Sequence, residues 1–111
     1  MGYTGVLAQA TVTDLDRAER WYATLLGRDP DARPMDGLLE WHLTGSAGVQ
    51  VWREAGRSGR STVVLATTDL DAVAGALTAA GVAHDGPQPG GGSRVLRLSD
   101  PDGNRVVVTG A

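Results

Sequence analysis

The tetrapeptide TDLD stands at residues 13–16 and again at residues 68–71, so the chain repeats itself at an offset of 55. Held without gaps, that offset pairs Pro34 with Pro89, Gly37 with Gly92, Leu43 with Leu98, Gly48 with Gly103 and Val51 with Val106. These nine identities fall on caps, turns and strand centres, which are the positions a duplicated backbone must keep. Each half reads in the same order. Residues 5–12 (GVLAQATV) and 61–67 (STVVLAT) alternate in part and predict strands. Thr13 or Asp14, and Thr68 or Asp69, supply helix N-caps, with Asp16 or Asp71 adding a carboxylate to the first turn.

The helix after the first cap puts Leu15, Ala18, Trp21, Tyr22, Leu25 and Leu26 on one face and stops near Gly27. Its counterpart carries Leu70, Val73, Ala74 and Leu77 and stops at Gly81. A Pro/Gly segment with a short edge strand follows in each half. Two strands then close it, LLEWHLT and GVQVWR in the first, RVLRLS and NRVVVTG in the second. The expected fold class is α+β: two βαβββ modules in pseudo-two-fold repeat, with mixed sheets, helices on the outer face and a cleft on the other. Module 1 covers residues 1–53, a polar linker 54–60, and module 2 residues 61–111. A module of this size buries too little apolar surface to stand alone, so one domain spanning residues 1–111 is expected.

Composition narrows the chemistry. The chain has no Cys, which excludes disulfides, thiolate metal sites and cysteine nucleophiles. All ten basic residues are Arg, so a Schiff-base lysine is excluded as well. A formal net charge of −3 gives no reason to expect nucleic acid or an anionic membrane as partner. No apolar run is long enough to span a bilayer and no leader-like segment opens the chain, so the cytoplasm is the expected compartment.

The stretch DLDRAERWYATLLGR near the start and DPDGNRVVV near the end, set in paired βαβββ modules, resemble the vicinal oxygen chelate superfamily. This is the group of glyoxalases, bleomycin-resistance proteins and ring-cleaving dioxygenases. In metal-dependent members the resemblance implies four ligand positions, on the first and last strands of each module. They fall here on Leu7, Trp52, Thr62 and Val107. None supplies the imidazole, carboxylate or thiolate that a transition metal needs. The two histidines, His42 and His84, lie elsewhere. Neither a metal nor any other cofactor is expected.

Strand alternation then predicts what faces the cleft. With Leu7 inward, Gln9, Gln50, Trp52, Thr62, Arg97, Arg105 and Val107 point the same way, as do Glu40 and His42. Leu39, Trp41, Leu43, Leu96 and Leu98 form the apolar set behind them. An apolar floor with a few polar groups is the usual make-up of a small-molecule pocket. Trp52 offers a stacking surface or merely fills space. Arg97 and Arg105 bind a ligand anion, or pair with Glu40 or with a second subunit's acids. The segment 86–93 (GPQPGGGS) lacks the lysine and helix of a phosphate loop and reads as a flexible lip.

The leading expectation is a metal-independent small-molecule binder, resembling the superfamily members that sequester antibiotics, with a planar or aromatic ligand. The resemblance, together with open sheet edges, also implies a homodimer. The alternative is a metal-free enzyme in which His42 and Glu40 are the catalytic candidates for proton transfer on a small oxygenated substrate. A metal-dependent glyoxalase or dioxygenase is disfavoured by the ligand positions, and a ligandless interaction module is the remaining reading.

Overall fold

The structure is a computed structural model and describes residues 2–90 and 92–111. The first module runs β1 (Val6–Val12), α1 (Leu15–Leu26), β2 (Ala32–Met35), β3 (Leu38–Thr44) and β4 (Ala47–Arg53). A short 3₁₀ turn, Ala55–Arg57, lies in the linker. The second module repeats the order as β5 (Thr62–Thr67), α2 (Leu70–Ala79), β6 (Gln88–Gly90), β7 (Ser93–Ser99) and β8 (Arg105–Gly110). Each module forms one four-stranded mixed sheet, ordered β1-β4-β3-β2 and β5-β8-β7-β6. The first and last strands of each module pair in parallel and the rest antiparallel. Two mixed sheets with a helix on each make the α+β pseudo-repeat that TDLD announces.

The local signals act as their chemistry requires. Asp14 and Asp69 are the N-caps, and their carboxylates accept from the backbone N–H of Arg17 and Ala72 at 3.0 Å each. Gly27 ends α1 in the left-handed region at φ 76°, where a side chain would be strained. Gly48 lies so close to the Trp41 carbonyl that any Cβ would collide with it. In the segment 86–93, read as a flexible lip, Gln88–Gly90 pairs with β7; Gly91 lies outside the described residues.

The helix-facing side of each sheet supplies the core. Ala10, Val12, Leu39, Trp41, Val49 and Val51 pack against Ala18 and Tyr22 of α1, while Val63, Leu96, Leu98, Val106 and Val108 pack against Leu70, Ala74 and Leu77 of α2. Leu43 departs from the expected apolar set. It sits near the end of β3 and stays partly exposed. Trp41 is fully buried, and its indole N–H donates to the Arg28 carbonyl at 2.9 Å. Trp21 lies edge-on to Tyr22, ring centres 4.8 Å apart, and remains half-buried. Among the described residues no helix is long and apolar enough to cross a membrane.

The turn Asp100–Asn104 does more than reverse the chain. Gly103 takes φ 89°, as a turn glycine does, but the neighbouring side chains staple module 2 onto module 1. Asp100 is buried and accepts from the Tyr22 hydroxyl at 2.7 Å. It also accepts from the Asn104 side-chain amide at 2.8 Å and from the backbone N–H of Asp102 and Asn104. Asn104, 0% exposed, donates to the Thr11 carbonyl of β1 and accepts from the Ser61 N–H, both at 2.8 Å. Asp102 accepts from the backbone and hydroxyl of Thr13. Burial, and then the Asp100 charge, push the Tyr22 phenol far above its ordinary value, so it stays a donor. Among the described residues no buried side-chain polar atom lacks a partner.

Candidate functional site

Alternation along β1, β3 and β4 turns one set of side chains away from α1, and register brings that set together. Gln9 lies opposite Gln50, and Gln50 opposite Glu40. Their side chains join in a chain of hydrogen bonds across three strands. The Gln9 amide donates to Gln50 at 3.1 Å, and the Gln50 amide to Glu40 at 2.7 Å. The other Glu40 oxygen meets His42 Nε2 at 2.7 Å. The Gln50 amide, followed by His42, holds the Glu40 carboxyl below its ordinary range. His42 is half-exposed, and its backbone N–H donates to Asp31 at 2.6 Å. That contact, followed by Arg28, lowers the Asp31 carboxyl in turn. Asp31 was not legible as a site residue, because it belongs to the connection before β2 rather than to an alternating strand.

Trp52 sits further along the same face. Its indole N–H donates to Glu54 at 3.0 Å, and its ring edge passes beside Gly37. With Gln9, Arg57 and Arg60 it lines a groove of about 570 Å³. Leu7, Glu40 and His42 line a second groove of about 540 Å³ toward the other end of the face. Leu7 is 43% exposed, an apolar side chain left open to solvent.

The second module's candidates lie apart from these. Thr62, Arg97, Arg105 and Val107 line a groove of about 1130 Å³ whose other wall is α1. Arg97 donates to Gln88 at 3.0 Å. Arg105 lies opposite Thr62 and Val107 opposite Val64. Within one chain, neither arginine pairs with Glu40 among the described residues. Val95 is buried beside the short edge strand, where Gly90 packs against it. His84 is held by the end of α2: Nδ1 accepts from the Gly86 N–H, and Nε2 lies within 3.1 Å of the Ala74 carbonyl.

The four positions implied as metal ligands do not fit a metal. Leu7 and Val107 have no donor atom, Trp52 offers only an N–H already given to Glu54, and Thr62 offers a neutral hydroxyl. Among the described residues no three His, Asp or Glu side chains converge elsewhere. This face offers a half-open aromatic ring, an aliphatic patch and an oriented polar chain that ends in the Glu40–His42 pair.

Comparison with known proteins finds the same fold. A solved glyoxalase/bleomycin resistance protein from Catenulispora acidiphila DSM 44928 is 26% identical, with a TM-score of 0.88 over 96% of this chain and 97% of that one. TnmS3, an antibiotic binding protein from Streptomyces sp. CB03234, is 28% identical, with a TM-score of 0.79 over 96% and 93%. A bleomycin-binding protein solved in complex with bleomycin is 18% identical, with a TM-score of 0.79 over 96% and 97%, and shares the fold alone. No curated protein matches by sequence. The sequence profile of the glyoxalase-like domain matches residues 6–109, and the chain belongs to that family.

Proposed function

We propose that this protein is a metal-independent small-molecule binder that holds a planar or aromatic ligand, with antibiotic sequestration as the role its relatives suggest. The observation that carries the reading is the replacement of all four ligand positions by Leu7, Trp52, Thr62 and Val107 on a face that keeps its polar chain. Such a face binds by stacking, apolar contact and oriented hydrogen bonds, with no bond made or broken. Two relatives that keep this fold are a glyoxalase/bleomycin resistance protein and an antibiotic binding protein, which favours ligand capture.

The cleft is completed by a second copy. The open side of module 1, with Leu7 and Trp52, meets the open side of module 2 of another copy, so that the two sheets enclose one cleft. A two-fold contact of that kind closes both clefts at once. The test is a ligand screen read by tryptophan fluorescence, with each hit assayed for turnover. Tight binding without product supports the proposal, and catalytic conversion of a hit overturns it.

One observation favours a second reading. Glu40 and the half-exposed His42, 2.7 Å apart, form an acid/base pair suited to proton transfer. Loss of turnover in His42→Ala with binding retained would establish that reading in place of sequestration.

A further inference from the structure

The arginines are not evenly spent. Arg28, Arg33, Arg53 and Arg94 each lie within ion-pair distance of a carboxylate. Arg17, Arg20, Arg57, Arg60, Arg97 and Arg105 have no such partner among the described residues. Arg57 and Arg60 share their groove with Glu54. The other four line the groove between α1 and the second sheet, where Asp85 is the only carboxylate among the described lining residues. Carboxylates outnumber guanidinium groups in this chain, thirteen to ten. Four unpaired cations against one acid is therefore the reverse of the average surface.

Like charges lining one groove repel one another, and an anion that enters relieves that repulsion. Arg17 and Arg20 stand three apart on one helix, a spacing that places like charges side by side at a small cost to the helix. The repeat sharpens the point. Positions 72 and 75, their counterparts on α2, are alanine and glycine, and the counterparts of Arg97 and Arg105 are His42 and Gln50. The basic character thus belongs to this groove and not to the duplicated fold. The rest of the lining mixes Thr24, Thr62, His84 and Ser99 with an apolar surface of Trp21, held edge-on by Tyr22, and Val82, Pro101 and Val107.

We propose that this groove binds an organic anion, with a carboxylate, sulfate or phosphate group held by the forked guanidinium donors of Arg17, Arg20, Arg97 and Arg105 and its hydrophobic body against Trp21 and Val107. A volume of about 1130 Å³ accommodates a ligand of ordinary small-molecule size. The inference rests on the small-molecule reading above and assigns its ligand a charge.

The test compares naphthalene-2-sulfonate with its neutral isostere naphthalene-2-sulfonamide by calorimetry on the full chain, in 50 mM and 500 mM NaCl. The sulfonate binds about tenfold or more tightly at low salt, and the gap shrinks several-fold at high salt. Arg17→Ala/Arg20→Ala, checked for an unchanged melting temperature, weakens the sulfonate by about three- to tenfold and leaves the sulfonamide unaffected. The salt response of the wild-type protein tests the same point without any variant. Equal binding of both compounds, with both weakened by Trp52→Ala, overturns the anion groove and leaves the small-molecule reading standing. Failure of the sulfonate to bind at 5 mM overturns the groove as well. Selective, arginine-dependent sulfonate binding that ignores Trp52→Ala supports the groove and removes Trp52 from the contact.

Discussion

The two modules share a strand order, two Asp-capped helices and a 55-residue register, yet their open faces and closing turns have little in common. The first module carries a linked Gln–Gln–Glu–His row and a tryptophan. The second carries arginines and valines. The first module's closing turn is a short polar bend at Gly45–Ser46, whereas the second's is a buried network of Asp100 and Asn104. Backbone geometry is thus the duplicated property. Surface chemistry and the joint between the halves belong to one module at a time, and each difference can be broken separately.

The largest effect is expected at the joint. Asp100→Ala leaves the Tyr22 hydroxyl, the Asn104 amide and two backbone N–H groups without their acceptor, and should cost about 3–5 kcal/mol of unfolding free energy. Ser46→Ala, in the first module's turn, should change stability by less than about 0.5 kcal/mol. Urea denaturation of the two variants measures the contrast. Similar losses in both would show that the two turns are equivalent after all.

These two turns also mark how far the sequence alone reaches. Both helices, all eight strands and the duplicated order were legible because caps, alternation and glycine stops act within a few residues of one another. The face shared by Gln9, Gln50, Glu40 and His42 was legible for the same reason, since alternation sets direction along any strand. DPDGN read only as a turn, because its other work appears when Tyr22, Thr11 and Ser61 are brought to it from the first module and the linker junction. The division of the candidates among three grooves, and the company Arg17 and Arg20 keep with Arg97 and Arg105, depend equally on how the modules dock. The i,i+3 spacing of Arg17 and Arg20 was the one available hint.

Next in size is the ligand face. Trp52→Ala should weaken a stacked ligand by roughly 1–3 kcal/mol, about five- to 150-fold, with the fold retained. Its counterpart Val107→Ala should weaken the same ligand by about 1 kcal/mol or less, since it removes less apolar surface. Calorimetric titration separates the two. A Trp52→Ala protein that binds normally but melts much earlier would make Trp52 a packing residue. His42→Ala should cost about 1 kcal/mol of affinity if the imidazole only hydrogen-bonds the ligand.

Assembly offers a further check on the comparison. If the faces of unlike modules meet between copies, light scattering at micromolar concentration should give twice the 11.5 kDa chain mass. A monomer throughout would return the site to the grooves of a single chain.

The smallest effect concerns pH. The folded Glu40 carboxyl is held below its ordinary 4.5 by Gln50 and His42. Its pairing therefore stabilises the protein above that value and fades as pH falls through the depressed one. Glu40→Gln should flatten the decline of melting temperature below pH 4.5, by an amount discounted for solvent exposure. Module 2 has Val95 at the matching position, so no second acid of this kind contributes.

The central claim is that this fold binds its ligand without a metal. Calorimetric titration of a screened ligand, before and after exhaustive chelation and with product analysis of the titrated sample, tests it directly. The account predicts the same dissociation constant in both titrations and ligand recovered unchanged. Binding or turnover that is lost on chelation and restored by added zinc, nickel, iron or manganese would contradict it.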